Sequence, residues 1–164
     1  METCMWCKGE FHHFEGPTHK YIESTPGCWH IFGLVLAREY ENYSDFSGIH
    51  GLTVDAYATQ HPGKPSKKSI QSVYAHLVRM YYVFEEGLSS RSERIEKMKR
   101  FVESKPDLKW LKPPELATVL TIADVFKTES SEKHQECVCQ WAKSVWEVWK
   151  GKYKSDIYQY IQSK

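Results

Sequence analysis

His50-Gly51-Leu52-Thr53-Val54-Asp55-Ala56-Tyr57-Ala58-Thr59-Gln60-His61-Pro62-Gly63 is the stretch that decides how this chain folds. It reads as a short helix held between two histidines and stopped by Pro-Gly. From Leu52 to His61, helical spacing puts Val54, Tyr57 and His61 on one side, and His50 falls on the same stripe because eleven residues is close to three turns. A rise of 1.5 Å per residue still separates the two histidines by about 16 Å, so they cannot share one ion. The connection from the preceding helix is short, and the two helices are therefore expected to run antiparallel. That sets Cys28, at the start of the first helix, beside His61, at the end of the second. His50 is left at the opposite end, nearer Glu39.

Working outward, Thr25-Pro26-Gly27-Cys28 opens the first long helix, with Thr25 as cap and Pro26 at the first helical position. Trp29, Phe32, Leu36 and Tyr40 form a stripe that Ile31, Leu34 and Val35 widen. This pattern predicts a central helix covered on most sides. Asn42 to Gly48 is expected to be a loop. Before the helix, residues 1–27 read as an irregular arm carrying Cys4-Met5-Trp6-Cys7 followed by Lys8-Gly9. Two thiolates at this spacing can grip one tetrahedral ion, and Gly9 is expected to relax the turn behind them. Thiolates select zinc, and redox chemistry is disfavoured because such motifs sit at a strand–helix junction and nothing here reads as a βαβ unit. Geometry favours Cys4, Cys7, Cys28 and His61 as one zinc site of three thiolates and an imidazole, with His19 as the reserve ligand. His12 and His13 are expected to face solvent or cap a turn.

Several motifs, taken together, carry a resemblance. Cys-x-x-Cys (4–7), Pro-Gly-Cys-Trp (26–29), Leu-Ala-Arg-Glu-Tyr (36–40), the 52–63 block and Ser-Ile-Gln-Ser-Val (69–73) resemble an uncharacterised bacterial family known only as a domain of unknown function. Looser matches run through Trp110-Leu111, Ala123-Asp124-Val125 and Trp141-Ala142, so the resemblance spans nearly the whole chain. It implies counterparts of Cys4, Cys7, Cys28, His50 and His61 across the family, and hence a metal site, but no activity. Gly51 departs from the pattern, since a basic residue is common there.

Lys64 to Lys68 is expected to be a solvated loop. Ser69 to Glu86 reads as the third helix, with Ile70, Val73, Tyr74, Leu77, Tyr81 and Phe84 on its apolar face. On another stripe His76 is placed level with Asp55, and an Asp–His pair orients an imidazole for base chemistry or for metal binding. A structural hydrogen bond inside a bundle is the rival reading. Glu39, His50, Asp55 and His76 are the candidate catalytic set, although the sequence does not bring the four together. Gly87 ends this helix, and a charged surface helix runs to about Ser104. Trp110 and Leu111, between Pro-rich breakers, are expected to plug the core. Thr118 to Ile122 reads as extended, or Thr121 caps a short helix through Phe126. The last helix runs from about Ser131 to Gly151 with Val138, Trp141, Val145, Val148 and Trp149 as its seam, and a tail helix covers Lys154 to Ile161. Cys137 and Cys139 point to nearly opposite sides and are poor joint ligands. Trp146 lies off that seam, which makes this aromatic helix a candidate contact for a second copy or another partner.

Composition bounds the function. Twenty-two Lys+Arg against twenty-one Asp+Glu leave a net charge of +1, so no whole-chain field recruits nucleic acid or an anionic membrane. No apolar run reaches the roughly 20 residues of a membrane span. Met1 to Cys4 lacks the basic and apolar regions of a signal peptide, and five cysteines is an odd count for a secreted disulfide framework. These features predict a cytoplasmic protein with reduced thiols. The expected architecture is a mainly α single domain spanning 1–164: an irregular zinc-binding arm (1–27) on a bundle of five or six helices (28–164). Three functions follow as expectations. The first is a zinc-binding domain with a structural metal. The second is a metal-dependent or acid–base enzyme with a cleft around Asp55 and His76, and the third is an interaction module using the C-terminal helix. No phosphate-cradling loop, nucleophile elbow or H-E-x-x-H signature is present.

Overall fold

A computed structural model describes residues 1–116 and 120–162. The fold is mostly helical, as expected. Its elements, in order, are β1 (Glu2–Thr3), β2 (Glu10–Phe11), α1 (Pro26–Glu41), α2 (Tyr43–Phe46), α3 (His50–Gln60), α4 (Lys67–Phe84), α5 (Arg91–Glu103), α6 (Ile122–Phe126) and α7 (Ser131–Gln162).

The central helix is α3. It packs on α4, α7 and α1. Every residue from Leu52 to Gln60 except Val54 is buried, Thr53, Asp55, Thr59 and Gln60 included. This explains why the block is neither amphipathic nor purely apolar: a helix covered all round must give each polar side chain a partner. Thr53 Oγ1 donates to Glu39 at 2.6 Å, and Thr59 Oγ1 to the Asp55 carbonyl at 2.7 Å. Gln60 Nε2 donates to the Leu120 carbonyl at 2.9 Å, while its Oε1 accepts from Trp141 Nε1 at 3.2 Å. Trp149 Nε1 donates to the Thr59 carbonyl at 3.1 Å, near the C-terminal end of α3.

The first helix, α1, is not the covered one. Thr25 caps it by accepting from Cys28 N–H, but its buried stripe is Cys28, Phe32, Val35 and Glu39. Tyr40, 63% exposed, and Leu34, 40% exposed, face outward. Apolar content at α1 exceeds what the core accepts, so the stripe turns by about one residue and admits Glu39 instead of Tyr40.

Other boundaries also shift. The 42–48 segment contains the single turn α2. His50 is the first residue of α3 rather than a flank, and α4 begins at Lys67, where Ser66 accepts from Ser69 N–H at 3.1 Å. Gly87, at φ +66°, closes α4 with Leu88 N–H bonded to the Tyr82 carbonyl. Leu111 is buried, whereas Trp110 is only half-buried. Thr121 and Asp124 form a reciprocal capping box that starts α6. The extended alternative for 118–122 falls partly on Thr118 and Val119, which lie outside the described residues. Gly151 does not break the last helix. Instead α7 continues to a kink at Tyr153 (φ −129°, ψ 26°), whose hydroxyl donates to the Lys112 carbonyl at 2.6 Å.

Trp146 is not off the seam. It is fully buried, as are Trp141 and Trp149, and its Nε1 donates to Glu85 at 2.8 Å. On α7 the buried residues Val138, Trp141, Ala142, Val145, Trp146 and Trp149 make a band wide enough to touch α3, α4 and α6. Among the described residues, no helix is long and apolar enough to cross a membrane.

Candidate metal centre

The arm is irregular, as expected, apart from a small hairpin that folds back on the start of α1. Glu2 pairs with Phe11 and Thr3 with Glu10. Inside it, Cys4 N–H bonds to the Gly9 carbonyl at 2.9 Å and Lys8 N–H to the Cys4 carbonyl at 3.0 Å. The left-handed residue of this turn is Lys8, at φ 61°, and Gly9, expected to relax the turn, follows it without a positive φ. Gly27 locks the hairpin in place: its N–H donates to Glu2 Oε1 at 2.9 Å, and a Cβ there would collide with the His12 carbonyl oxygen. The Pro-Gly-Cys motif therefore combines a helix start, a close backbone approach and a cysteine.

At the other side of the cluster, α3 ends at His61. Gly63, at φ +69°, turns the chain where a Cβ would strike the Tyr21 carbonyl. His61 Nδ1 donates to the Tyr57 carbonyl at 2.8 Å, so Nε2 keeps its lone pair and faces the sulfurs. Tyr57 stacks on His61 at 4.1 Å and on Phe32 at 3.9 Å, fixing the imidazole plane.

Cys4, Cys7, Cys28 and His61 meet here, with all four ligand atoms within 4.8 Å of one another and all four residues buried. Cys7 and Cys28 sulfurs are 3.9 Å apart, and Cys28 Sγ is 3.4 Å from His61 Nε2. A tetrahedral ion with metal–sulfur bonds of about 2.3 Å separates its sulfurs by about 3.8 Å. The donor set thus has the spacing and the donor chemistry that could hold a metal ion.

Proton occupancy tells the same story. Hydrogen bonds from Cys28 and Cys7 hold the Cys4 sulfur far below the ordinary thiol value, against its burial. Cys28 pulls Cys7 down, but the Cys4 thiolate and burial outweigh it and push Cys7 up to about 12. Cys28 is raised by its contacts with Cys4 and Cys7 and by burial. Three sulfurs this close cannot all ionise without a cation between them. Burial, then electrostatic coupling to Cys28, raises the Tyr57 hydroxyl, which lies 3.4 Å from Cys28 Sγ.

His19 is otherwise engaged. Its Nδ1 accepts from the backbone N–H groups of Tyr21 and Ile22, and burial lowers its pKa. His12 and His13 are exposed. Cys137 is half-buried and Cys139 exposed on α7, apart from the cluster.

The four candidate catalytic residues fall into two groups that share no hydrogen bond among the described residues. Glu39, fully buried, accepts from Thr53, from His50 Nδ1 at 2.6 Å and from His134 Nε2 at 2.9 Å. Asp55 accepts from His76 Nδ1 at 2.7 Å and from Arg79 Nε at 2.8 Å, with a second contact from Arg79 Nη2. Neither His134 nor Arg79 was singled out from sequence. His134 stands four and seven residues before Val138 and Trp141, on the buried band of α7, and that spacing was the available signal. An open cleft of about 660 Å³ takes in His50, Asp55 and Arg79 but not His76.

A helical protein with a closed Cys₃His cluster at the junction of an N-terminal hairpin and two antiparallel helices is the class this geometry defines. The chain belongs to the family of unknown function DUF5946, whose model matches residues 2–150. No curated protein and no solved structure matches it.

Proposed function

We propose that this protein holds one zinc ion at Cys4, Cys7, Cys28 and His61, and that the metal is structural. The observation that carries the reading is the closed donor set: four buried ligand atoms within 4.8 Å leave no open position for a substrate or a reactive water. The soft, three-thiolate character selects zinc over oxygen-seeking cations. Bound there, the ion would supply a crosslink between the hairpin, the start of α1 and the end of α3, and no reaction chemistry. Reduced, metal-ready thiols suit a reducing compartment such as the bacterial cytoplasm. Elemental analysis of the purified protein should find about one zinc per chain, lost in Cys28→Ser. Metal-free protein with undiminished thermal stability would overturn the reading.

A second reading, acid–base chemistry at the cleft, is supported by one observation. Glu39 accepts a hydrogen bond from His50 Nδ1–H, which leaves Nε2 as the basic nitrogen of a ring that lines the cleft. In this reading His50 is the base and Glu39 positions it, whereas Asp55 and His76 are a hydrogen-bonded pair packing α3 against α4. Turnover of a panel of esters and phosphoesters that disappears in His50→Gln, with the zinc content unchanged, is the expected result. Turnover that survives the substitution would sink it.

A further inference from the structure

We propose that the cleft between the start of α3 and helices α4 and α5 binds a small organic anion, with its charged headgroup on arginines and its apolar body on the apolar side chains that line the same cleft. The proposal concerns the cleft of the second reading but needs no reaction there, and it is independent of the zinc site.

Charge is the first observation. Arg79, Arg91 and Arg94 reach the cleft, and Asp55 is the only carboxylate among the lining residues. Arg79 is spent on Asp55 through its Nε and Nη2. Arg91 and Arg94 have no carboxylate partner among the described residues. Arg91 Nη1 donates to the Tyr43 hydroxyl at 3.1 Å, and Arg94 Nη1 to the Leu88 and Ser89 carbonyls at 2.9 and 2.7 Å. These bonds aim both guanidinium groups and leave donors over on each. A planar, pre-aimed fork of this kind suits a carboxylate or phosphate oxygen pair.

The floor of the cleft adds to the same sign. Ser47, Gly48, His50 and Gly51 line it, and α3 begins with no side-chain cap and no acidic residue in its first turn. A Cβ built on Gly51 meets nothing within 4 Å, so the backbone there is open to a ligand. The remaining wall is apolar, made by Leu52, Val83, Leu88, Ile95 and Met98. Ile95 is 57% exposed although it stands on a helix with few apolar residues. A headgroup alone would leave this wall bare, and an uncharged apolar molecule would leave two arginines without a counter-charge. An anion with an apolar body satisfies both.

The test uses the full-length protein with phenyl phosphate as probe, and inorganic phosphate and phenol as controls, followed by calorimetry and by NMR. Saturable binding of phenyl phosphate is expected, about ten-fold or more tighter than either control, with shifts at the Gly48 and Gly51 amides and the His50 ring. Arg91→Gln/Arg94→Gln should weaken it about ten-fold or more. Because Arg94 also holds the loop before α5, Gly51→Glu is the second variant: it adds a carboxylate where space is open and improves helix propensity, and it should abolish binding without lowering the melting temperature. No saturable binding, binding no tighter than inorganic phosphate, or an affinity untouched in both variants, which means an adventitious ion only, overturns the proposal.

Discussion

At the C-terminal end of α3, His61 is sealed. Its Nδ1–H is fixed on the Tyr57 carbonyl, its Nε2 faces three sulfurs, and neither the ring nor its neighbours meet solvent. At the N-terminal end, His50 has the same polarity but a different surrounding. Its Nδ1–H is fixed on Glu39, a buried carboxylate shared with His134 and Thr53, and its ring lines an open cleft. One helix thus carries two oriented imidazoles. The difference shows that orientation alone does not separate a structural histidine from a reactive one; access does. Soft donors and a closed cage suit a permanent ion, whereas a polar anchor behind an exposed edge suits something that comes and goes.

That contrast can be broken at either end. The largest effect is expected at the sealed end. Cys28→Ser should lose the metal and about 3 kcal/mol or more of stability, read as a melting temperature lower by about 6–12 °C. Chelation of the parent protein should lower it similarly, and an unchanged melting curve after verified metal loss would remove the structural role. At the open end, Glu39→Ala strands His134 and Thr53 without their shared acceptor. It should cost about 3 kcal/mol in chemical denaturation while zinc content stays at one per chain. Loss of zinc in that variant would mean that the two ends are coupled rather than separate.

A proton count sharpens the comparison further. Cys4 is lowered from the ordinary thiol value, whereas Cys7, raised to about 12, and Cys28, also raised, favour their protonated forms. Zinc must displace the protons on Cys7 and Cys28. Binding should therefore release about two protons near neutral pH, and apparent affinity should rise about 100-fold per pH unit, weakening as pH falls. Calorimetry in two buffers of different ionisation enthalpy measures this count, and a value near zero would mean that the thiols are not displaced. The smallest effect is at Lys8. Its positive φ is disfavoured for a side-chain-bearing residue, so Lys8→Gly should leave zinc affinity intact and raise stability by about 0.5 kcal/mol, offset by the lost bond to the Met5 carbonyl. A clear fall in affinity would assign the lysine a role at the metal.

How much of this was legible in the chain varies from residue to residue. The Cys28–His61 juxtaposition follows from two helices, a short connection and the helical rise. The level placement of His76 with Asp55 follows from the same reasoning one helix later. His19 could not be excluded by spacing, because nothing in its neighbourhood announces that Nδ1 accepts two backbone N–H groups. Trp146 was misplaced because periodicity assumes a single narrow seam. A helix touching several others buries a wider band, and a buried tryptophan must then find an acceptor, here Glu85. Arg91 and Arg94 sit in an alternating charge run that reads as a solvated face, and only the path of the loop before α5 turns them toward the start of α3.

The sequence by itself determined what local geometry controls: the helix start at Thr25, the stop at Pro62-Gly63, the paired cysteines and the direction of α3 relative to α1. These depend on caps, turns and rise per residue, which act over a few positions. Tertiary structure decided which helix is central, which carboxylate is buried and which histidine lines a cleft. Those outcomes depend on how much surface α7 covers, and on polar groups finding partners far away in the chain, as Glu39 finds His134 and Gln60 finds Trp141.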